Sequence, residues 1–131
     1  MGMKKGFKAL IAEANEQIQT RTAEDAIRRV NEAGVLFVDI REPEELTRDG
    51  KVPGALHAPR GMLEFYIDPE SPYHKAEFSS GKEILFYCAS GGRSALAAKT
   101  ARDMGLDKVA HVGGGFKAWR EKSGPVEKVG G

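Results

Sequence analysis

The chain has 131 residues, of which 40% are hydrophobic and 30% charged, and its formal net charge is +1. This length suffices for one domain with its own hydrophobic core, and the near-neutral charge gives no basis for a nucleic-acid or anionic-membrane partner. The single cysteine excludes an internal disulfide, a Cys-x-x-Cys redox pair and a multi-cysteine zinc site. One thiol suits a reducing compartment, so a cytoplasmic protein is expected.

The N-terminal part of the chain is predicted to be helical. Apolar residues recur at helical spacing over 5–18, which predicts an amphipathic helix packed on the edge of the domain. The hydroxyl of Thr22 is placed to cap a second helix that stops near Gly34. No apolar run approaches the roughly 18 to 20 residues of a membrane span.

Strands and helices alternate through the rest of the chain. Apolar runs and Gly/Pro punctuation predict strands at four places: 35–38, a short one within 52–59, 83–87 and 109–112. Helices are predicted between and after them: a short one starting at Pro43, a segment around 62–66, an alanine-rich one over 94–104 stopped by Gly105, and one through Phe116 and Trp119. The glycines at 113–115 are interpreted as a tight turn into the last helix, and Trp119 as a core residue. The range 68–82 is predicted to be a loop. This alternation is typical of an α/β fold with a mainly parallel sheet.

The segment after the strand at 83–87 carries the clearest chemical signal. Cys88 follows that strand directly, and ligand sites in parallel sheets lie at the carboxyl ends of strands. The two glycines of the loop let successive amides point inward as an anion-binding nest, at the start of a helix whose dipole adds positive potential. This setting favours the thiolate of Cys88. The predicted nest and substrate-binding residues are Ala89, Ser90, Gly91, Gly92, Arg93 and Ser94.

Several polar residues around this loop have two interpretations. We expect Arg93 to contact the oxyanion of a bound donor, the alternative being a surface salt bridge. We expect Ser94 to cap the following helix, the alternative being a hydrogen bond near the thiolate. Asp39 and Arg41 either lie on the rim of the site or, as we prefer, belong to a structural ion pair in which Arg41 binds Glu44 or Glu45.

The remaining polar residues give weaker signals. Arg60 could line the mouth of the pocket and select anionic donors. His57, His74 and His111 lack metal-ligand spacing, and we interpret His57 as structural. No metal site is predicted.

Four motifs in order resemble the rhodanese-like domain family. They are the cysteine loop 88–94 and the segments 38–45, 50–59 and 113–119, and the resemblance covers about residues 22–122. It implies an α/β fold with a five-stranded parallel sheet flanked by helices on both faces. Residues 1–21 would then be a helical extension packed on the domain, and 123–131 a loose tail.

The resemblance also implies sulfur transfer. Cys88 would take the sulfane sulfur of a small anionic donor such as thiosulfate as a persulfide, and pass it to cyanide, a thiol or a protein acceptor, with ping-pong kinetics. No metal or organic cofactor is implied. A sulfur-relay or binding module that serves one protein partner is the first alternative.

Phosphatase or arsenate reductase chemistry is the second alternative, because dual-specificity phosphatases and related arsenate reductases resemble the same fold. Their loops need five residues between cysteine and arginine to wrap a tetrahedral oxyanion. Here four residues separate Cys88 from Arg93, and Ser94 occupies the position that the arginine would take. The shorter loop favours a single sulfur atom over a phosphoryl group.

Overall fold

The computed structural model describes residues 2–130. Within them, five parallel strands form one sheet in the order β1-β5-β4-β2-β3. The strands are β1 (Gln19–Arg21), β2 (Val35–Asp39), β3 (Leu56–His57), β4 (Glu83–Tyr87) and β5 (Val109–Val112). The predicted α/β fold with a five-stranded parallel sheet is confirmed. Four of the strands lie where apolar runs and turn residues predict them.

Helices cover both faces of the sheet. They are α1 (Phe7–Gln17), α2 (Ala23–Arg28), α3 (Pro43–Asp49), α4 (Leu63–Ile67), α5 (Gly92–Asp103) and α6 (Gly115–Glu121). One apolar cluster joins residues of α1, α4 and α5 to one face, and a second joins α2 and α6 to the other. No helix among the described residues is long and apolar enough to cross a membrane.

The alanines of α5 explain how closely this helix sits on the sheet. Ala95, Ala97, Ala98 and Ala101 are completely buried. Small side chains allow the helix backbone to approach the strands, and alanine also has the highest helix propensity. The start of α5 is thereby held firmly at the carboxyl end of β4.

The N-terminal extension is more closely joined to the domain than the sequence predicts. Thr22 caps α2 as expected, its hydroxyl accepting the Asp25 amide at 3.1 Å. The preceding residues form β1, which pairs with β5 from Gln19 to Arg21 and therefore belongs to the sheet. This strand has no apolar run, because it lies at an edge and only Arg21 of its three residues is even half-buried. Helix α1 then packs on α5.

The C-terminal tail departs from the expectation that it is loose. Lys51 and Glu127 exchange two backbone hydrogen bonds, of 2.9 and 2.8 Å, in an isolated antiparallel bridge. The indole N–H of Trp119, a core residue as expected, donates to the carbonyl of Pro125 at 2.7 Å. Backbone pairing that sequence patterns do not reveal therefore holds the tail at 125–127.

Candidate active site

Cys88 lies at the centre of the carboxyl edge of the sheet. It follows β4, which has β5 on one side and β2 on the other, and its side chain is buried. The amide of Gly91 donates to the Cys88 sulfur at 3.1 Å, and the amide of Ser94 does so at 3.4 Å. Gly91 has a φ of 108°, which only glycine adopts without strain. The loop thus directs two N–H groups and the start of a twelve-residue helix at the sulfur.

The carbonyl groups of the same loop are held on its other side. The amides of Phe116 and Lys117, in the first turn of α6, donate to the carbonyls of Cys88 and Ala89 at 2.8 and 3.0 Å. A Cβ at Gly115 would lie 2.5 Å from the Cys88 carbonyl oxygen, so this close approach requires glycine. The glycine run 113–115 is therefore a tight turn from strand to helix, as predicted, and it fixes the orientation of the cysteine loop.

Ser94 does not cap α5, which corrects the sequence prediction. The helix begins two residues earlier, at Gly92, with Gly91 in the left-handed region as its N-cap. Ser94 therefore lies inside the first turn and points inward, completely buried. Its hydroxyl is the acceptor for the Cys88 thiol at 3.5 Å and lies 3.3 Å from the Gly91 carbonyl.

His111 and Asn15 are functional candidates that the sequence interpretation missed. His111 is buried on β5, and its Nδ1 lies 2.9 Å from the Ser94 hydroxyl. Its Nε2 lies 3.0 Å from Oδ1 of Asn15 on α1 and 3.2 Å from the hydroxyl of Thr20 on β1. Burial lowers the pKa of His111 to about 4. The available signal was one histidine within the apolar strand Val-Ala-His-Val next to the strand that ends on the cysteine.

Arg93 forms an ion pair with Glu45 of α3. The guanidinium donates two hydrogen bonds, of 2.8 and 3.0 Å, to the two carboxylate oxygens of Glu45. These hydrogen bonds lower the pKa of Glu45 to about 2 and raise the pKa of Arg93. The Arg93 side chain is 41% exposed, so it lies at the surface of the site, and both of its terminal nitrogens bind the Glu45 carboxylate.

Asp39 and Arg41 bind each other, which corrects the expected pairing of Arg41 with Glu44 or Glu45. Arg41 donates from Nη2 at 2.6 Å and from Nε at 2.9 Å to the carboxylate of Asp39, and both side chains are buried. The guanidinium also donates to the Gly50 carbonyl and lies 4.5 Å from the ring centre of Phe116. The two residues are two positions apart at the end of β2, where the chain turns and brings their side chains together.

The other predicted rim and histidine residues lie in local contacts. Arg60 binds Glu64 at 3.0 Å and the hydroxyl of Thr100 at 3.2 Å, along α4 and α5. His57 contacts the Arg41 carbonyl at 2.7 Å through Nε2, a structural contact. His74, in the segment 68–82, contacts the Tyr66 carbonyl. This segment, predicted to be a loop, contains one short 3-10 helix at Ala76–Ser79. No group of three or more His, Cys, Asp or Glu side chains in residues 2–130 is arranged to hold a metal ion.

A surface cavity of about 450 Å³ lies beside the cysteine loop. It touches the loop at Ala89 and is lined by Arg41, Asp49, Phe116, Lys117, Arg120 and Glu121 as well. Three of these residues are cationic and two are anionic, and Arg41 and Arg120 form ion pairs with Asp39 and Asp49. Cys88 itself does not line it.

Comparison with known proteins gives one family. The model of the rhodanese-like domain matches residues 22–122. A sulfurtransferase of Allochromatium vinosum is 32% identical over 92 residues, which are 70% of this chain and 78% of that protein. The mouse thiosulfate sulfurtransferase/rhodanese-like domain-containing protein 3 is 27% identical over 95 residues, 69% of this chain but only 60% of its own length.

One solved structure is similar over almost the entire chain. It is a Rhodopseudomonas palustris protein of unknown function, described as a possible tyrosine phosphatase. The two chains are 54% identical, the TM-score is 0.94, and the similarity covers 97% of this chain and 98% of the other. The similarity therefore includes the N-terminal helix, which lies outside the matched family segment.

Proposed function

Because this chain belongs to the rhodanese-like domain family, we propose that it is a sulfurtransferase in which Cys88 carries the transferred sulfur as a persulfide. The observation that carries the proposal is the pair of amides, from Gly91 and Ser94, that donate to the Cys88 sulfur at the start of α5. Such donors stabilise negative charge on sulfur, both in the thiolate and in the terminal sulfur of a persulfide anion.

The proposed reaction has two steps. The Cys88 thiolate attacks the sulfane sulfur of thiosulfate, the sulfur–sulfur bond of the donor breaks, and sulfite leaves with the bonding electron pair. Cyanide or a thiolate then attacks the outer sulfur of the persulfide, forming thiocyanate or a new persulfide and returning the Cys88 thiolate. Covalent intermediates of this kind give ping-pong kinetics.

Formation of thiocyanate from thiosulfate and cyanide tests the proposal directly. We expect turnover by the wild-type protein and none by Cys88→Ser, whose hydroxyl is a far weaker nucleophile than a thiolate at neutral pH. Intact-mass spectrometry after thiosulfate should show one adduct of about 32 Da, one sulfur on one activated thiol, that cyanide removes. A wild-type protein with neither adduct nor turnover from any sulfane donor contradicts the proposal.

A sulfur-relay role for one protein partner is the second candidate, favoured by the absence of another cysteine in the sequence. Without a second thiol the chain cannot resolve its own persulfide as an internal disulfide. A relay predicts that the persulfide forms readily but transfers to cyanide and small thiols slowly. Discharge only by a purified protein acceptor would favour this role over general sulfur transfer.

Phosphatase activity needs a separate test because the 54% identical Rhodopseudomonas palustris protein is described as a possible tyrosine phosphatase. The four-residue spacing between Cys88 and Arg93 and the ion pair of Arg93 with Glu45 both disfavour it. We expect no hydrolysis of p-nitrophenyl phosphate above the Cys88→Ser background. Hydrolysis that depends on Cys88 would establish phosphatase chemistry instead.

A further inference from the structure

A continuous chain of hydrogen bonds joins the buried Cys88 sulfur to solvent at the junction of α1 and β1. Its contacts run from the sulfur to the Ser94 hydroxyl (3.5 Å), from there to Nδ1 of His111 (2.9 Å), and from Nε2 to Asn15 (3.0 Å) and Thr20 (3.2 Å). Cys88, Ser94 and His111 are at most 3% exposed, whereas Asn15 and Thr20 are exposed. The chain thus crosses from the core to the surface, and its Ser94, His111 and Thr20 groups can each donate and accept a proton, whereas Oδ1 of Asn15 only accepts.

The hydrogen bonds along this route can all point in either of two directions. A neutral histidine has one N–H, and the low pKa that burial gives His111 keeps the ring neutral near pH 7. With the proton on Nε2, the ring donates to Oδ1 of Asn15, and the Cys88 thiol donates to Ser94. The Ser94 hydroxyl donates to Nδ1 at 2.9 Å, the shorter of its two acceptor contacts, the other being the Gly91 carbonyl at 3.3 Å. With the proton on Nδ1, Thr20 donates to Nε2, the ring donates to Ser94, and Ser94 donates to a Cys88 thiolate.

We propose that Ser94 and His111 stabilise the Cys88 thiolate: the thiol proton leaves to solvent through them, and the Ser94 hydroxyl, oriented by His111, is left donating to the thiolate. The S–H bond breaks and its proton passes to Ser94, the hydroxyl proton of Ser94 passes to Nδ1, and the proton on Nε2 passes to the exposed Thr20 hydroxyl, whose own proton goes to water. The products are one thiolate and one hydronium ion, with His111 neutral before and after. No oxidation or reduction occurs.

The proposal rests on the proposed function in one respect only: the thiolate that the route produces is the form that attacks the sulfur donor. Ser94 touches the reacting atom, whereas His111 acts on it only through Ser94 and is therefore a positioning residue. Asn15 belongs to α1, outside the family segment at 22–122. The N-terminal helix would thus complete the site as well as pack against α5.

Three ion pairs near the site do not involve this chain of hydrogen bonds, and Lys117 of α6 lies beside the loop at Ala89. Arg93 of α5 binds Glu45 of α3, and Asp39 binds Arg41 at the end of β2. Helix α6 meets the loop through backbone amides. On β1, Arg21 binds Glu83, and α1 contributes the neutral Asn15 to the chain. Replacing His111 therefore leaves these ion pairs intact.

The rate of Cys88 alkylation by iodoacetamide, measured from pH 5 to 10, tests the route. We expect the midpoint of the pH profile to rise by about one unit in His111→Phe, which lowers the rate about tenfold at pH values well below both midpoints and leaves the high-pH plateau unchanged. Ser94→Ala should give the same shift. Because His111 acts through Ser94, the double variant should shift the midpoint no further than either single variant.

His74→Phe is the matched control, because it makes the same chemical change at a histidine that contacts Tyr66 and Ser79 and takes no part in this chain of hydrogen bonds. Its profile should superimpose on that of the wild type. A folded His111→Phe protein with the wild-type midpoint overturns the proposal, and so does a double variant whose shift is the sum of the two single shifts. Iodoacetamide reads the thiolate without any sulfur donor, so these results stand even if sulfur transfer fails.

The ring nitrogens of His111 in the wild-type protein give a second measurement that needs no variant. Nitrogen-15 NMR distinguishes a protonated from an unprotonated ring nitrogen. We expect the proton to lie mainly on Nε2 while Cys88 is a thiol and mainly on Nδ1 once it has ionised. A tautomer that stays the same across the ionisation of Cys88 overturns the proposal, whether or not the His111 variants fold.

Discussion

The carboxyl ends of two neighbouring strands, β2 and β4, both carry buried polar groups, but only those at β2 form an ion pair. At the end of β2 the carboxylate of Asp39 and the guanidinium of Arg41 neutralise each other, and Arg41 also binds a carbonyl and stacks on an aromatic ring. At the end of β4 the Cys88 sulfur contacts two amides and a hydroxyl, and no charged side chain among residues 2–130 is bonded to it. At the end of β2 the two charges already balance each other in the folded protein. At the end of β4 the hydrogen-bond donors are balanced only when the sulfur carries a negative charge. We therefore call the end of β2, with Asp39 and Arg41, the structural corner, and the end of β4, with Cys88, the reactive corner.

The largest expected effect comes from breaking the structural corner. Asp39→Asn leaves the Arg41 guanidinium buried without its counter-ion, and we expect a loss of about 3 to 5 kcal/mol in the free energy of unfolding. Urea titration measures it. Asp49→Asn is the matched control, since Asp49 pairs with mostly exposed arginines and should cost less than about 1 kcal/mol. Similar losses in the two variants would contradict the assignment of the Asp39–Arg41 pair as structural.

The next largest effect is an acid sensitivity that originates at the reactive corner. The folded-state pKa of His111, about 4, lies below the usual value of 6.5, so between these values the unfolded chain binds the extra proton. Stability therefore falls as the pH drops from 7 to 4, by roughly 3 kcal/mol from this residue. Comparing urea titrations at pH 7 and pH 4 should show that His111→Phe loses this component, while His74→Phe keeps it. Equal pH dependence in wild type and His111→Phe would refute it.

Residue types and spacing predicted the parts of this comparison that depend on local sequence. Buried strands appear as apolar runs, and Cys88 directly after one of them places a thiol at the carboxyl edge of the sheet. The glycines at 91–92 and 113–115 predict the tight turns that the structure contains. Apolar runs predict four strands, and the fifth is expected only from the resemblance to the family, because β1 has no apolar run of its own.

The parts that the sequence did not reveal depend on contacts between distant segments. Asn15 and His111 are 96 positions apart and meet only because β1 pairs with β5. The sequence predicts Ser94 as the cap, but α5 begins on glycines, two residues before this capping side chain. Arg93 could have served an anion or a carboxylate equally well by type, and only the position of α3 shows that Glu45 occupies it.

The smallest expected effect lies at that ion pair, where the two corners meet. Glu45→Gln removes one negative charge beside the cysteine loop, while the remaining amide oxygen can still accept the Glu42 amide that caps α3. Because Arg93 is 41% exposed, we expect less than about 1 kcal/mol of lost stability. With Arg93 released, the KM for thiosulfate should fall a few-fold at low ionic strength, and the difference should shrink as salt screens the site.

Glu44→Gln, one residue earlier and exposed, makes the same change in charge without releasing Arg93 and is the control. The pKa of Glu45, lowered to about 2 by Arg93, also fixes the pH range of the pair. Its stabilising contribution is present above about 4.5, where the unfolded carboxyl ionises, and is lost as the pH falls toward 2. If Glu45→Gln and Glu44→Gln change the KM equally, Arg93 does not bind thiosulfate directly and adds only to the overall electrostatic potential of the site. Binding at the reactive corner then depends on the amides and the hydroxyl around Cys88.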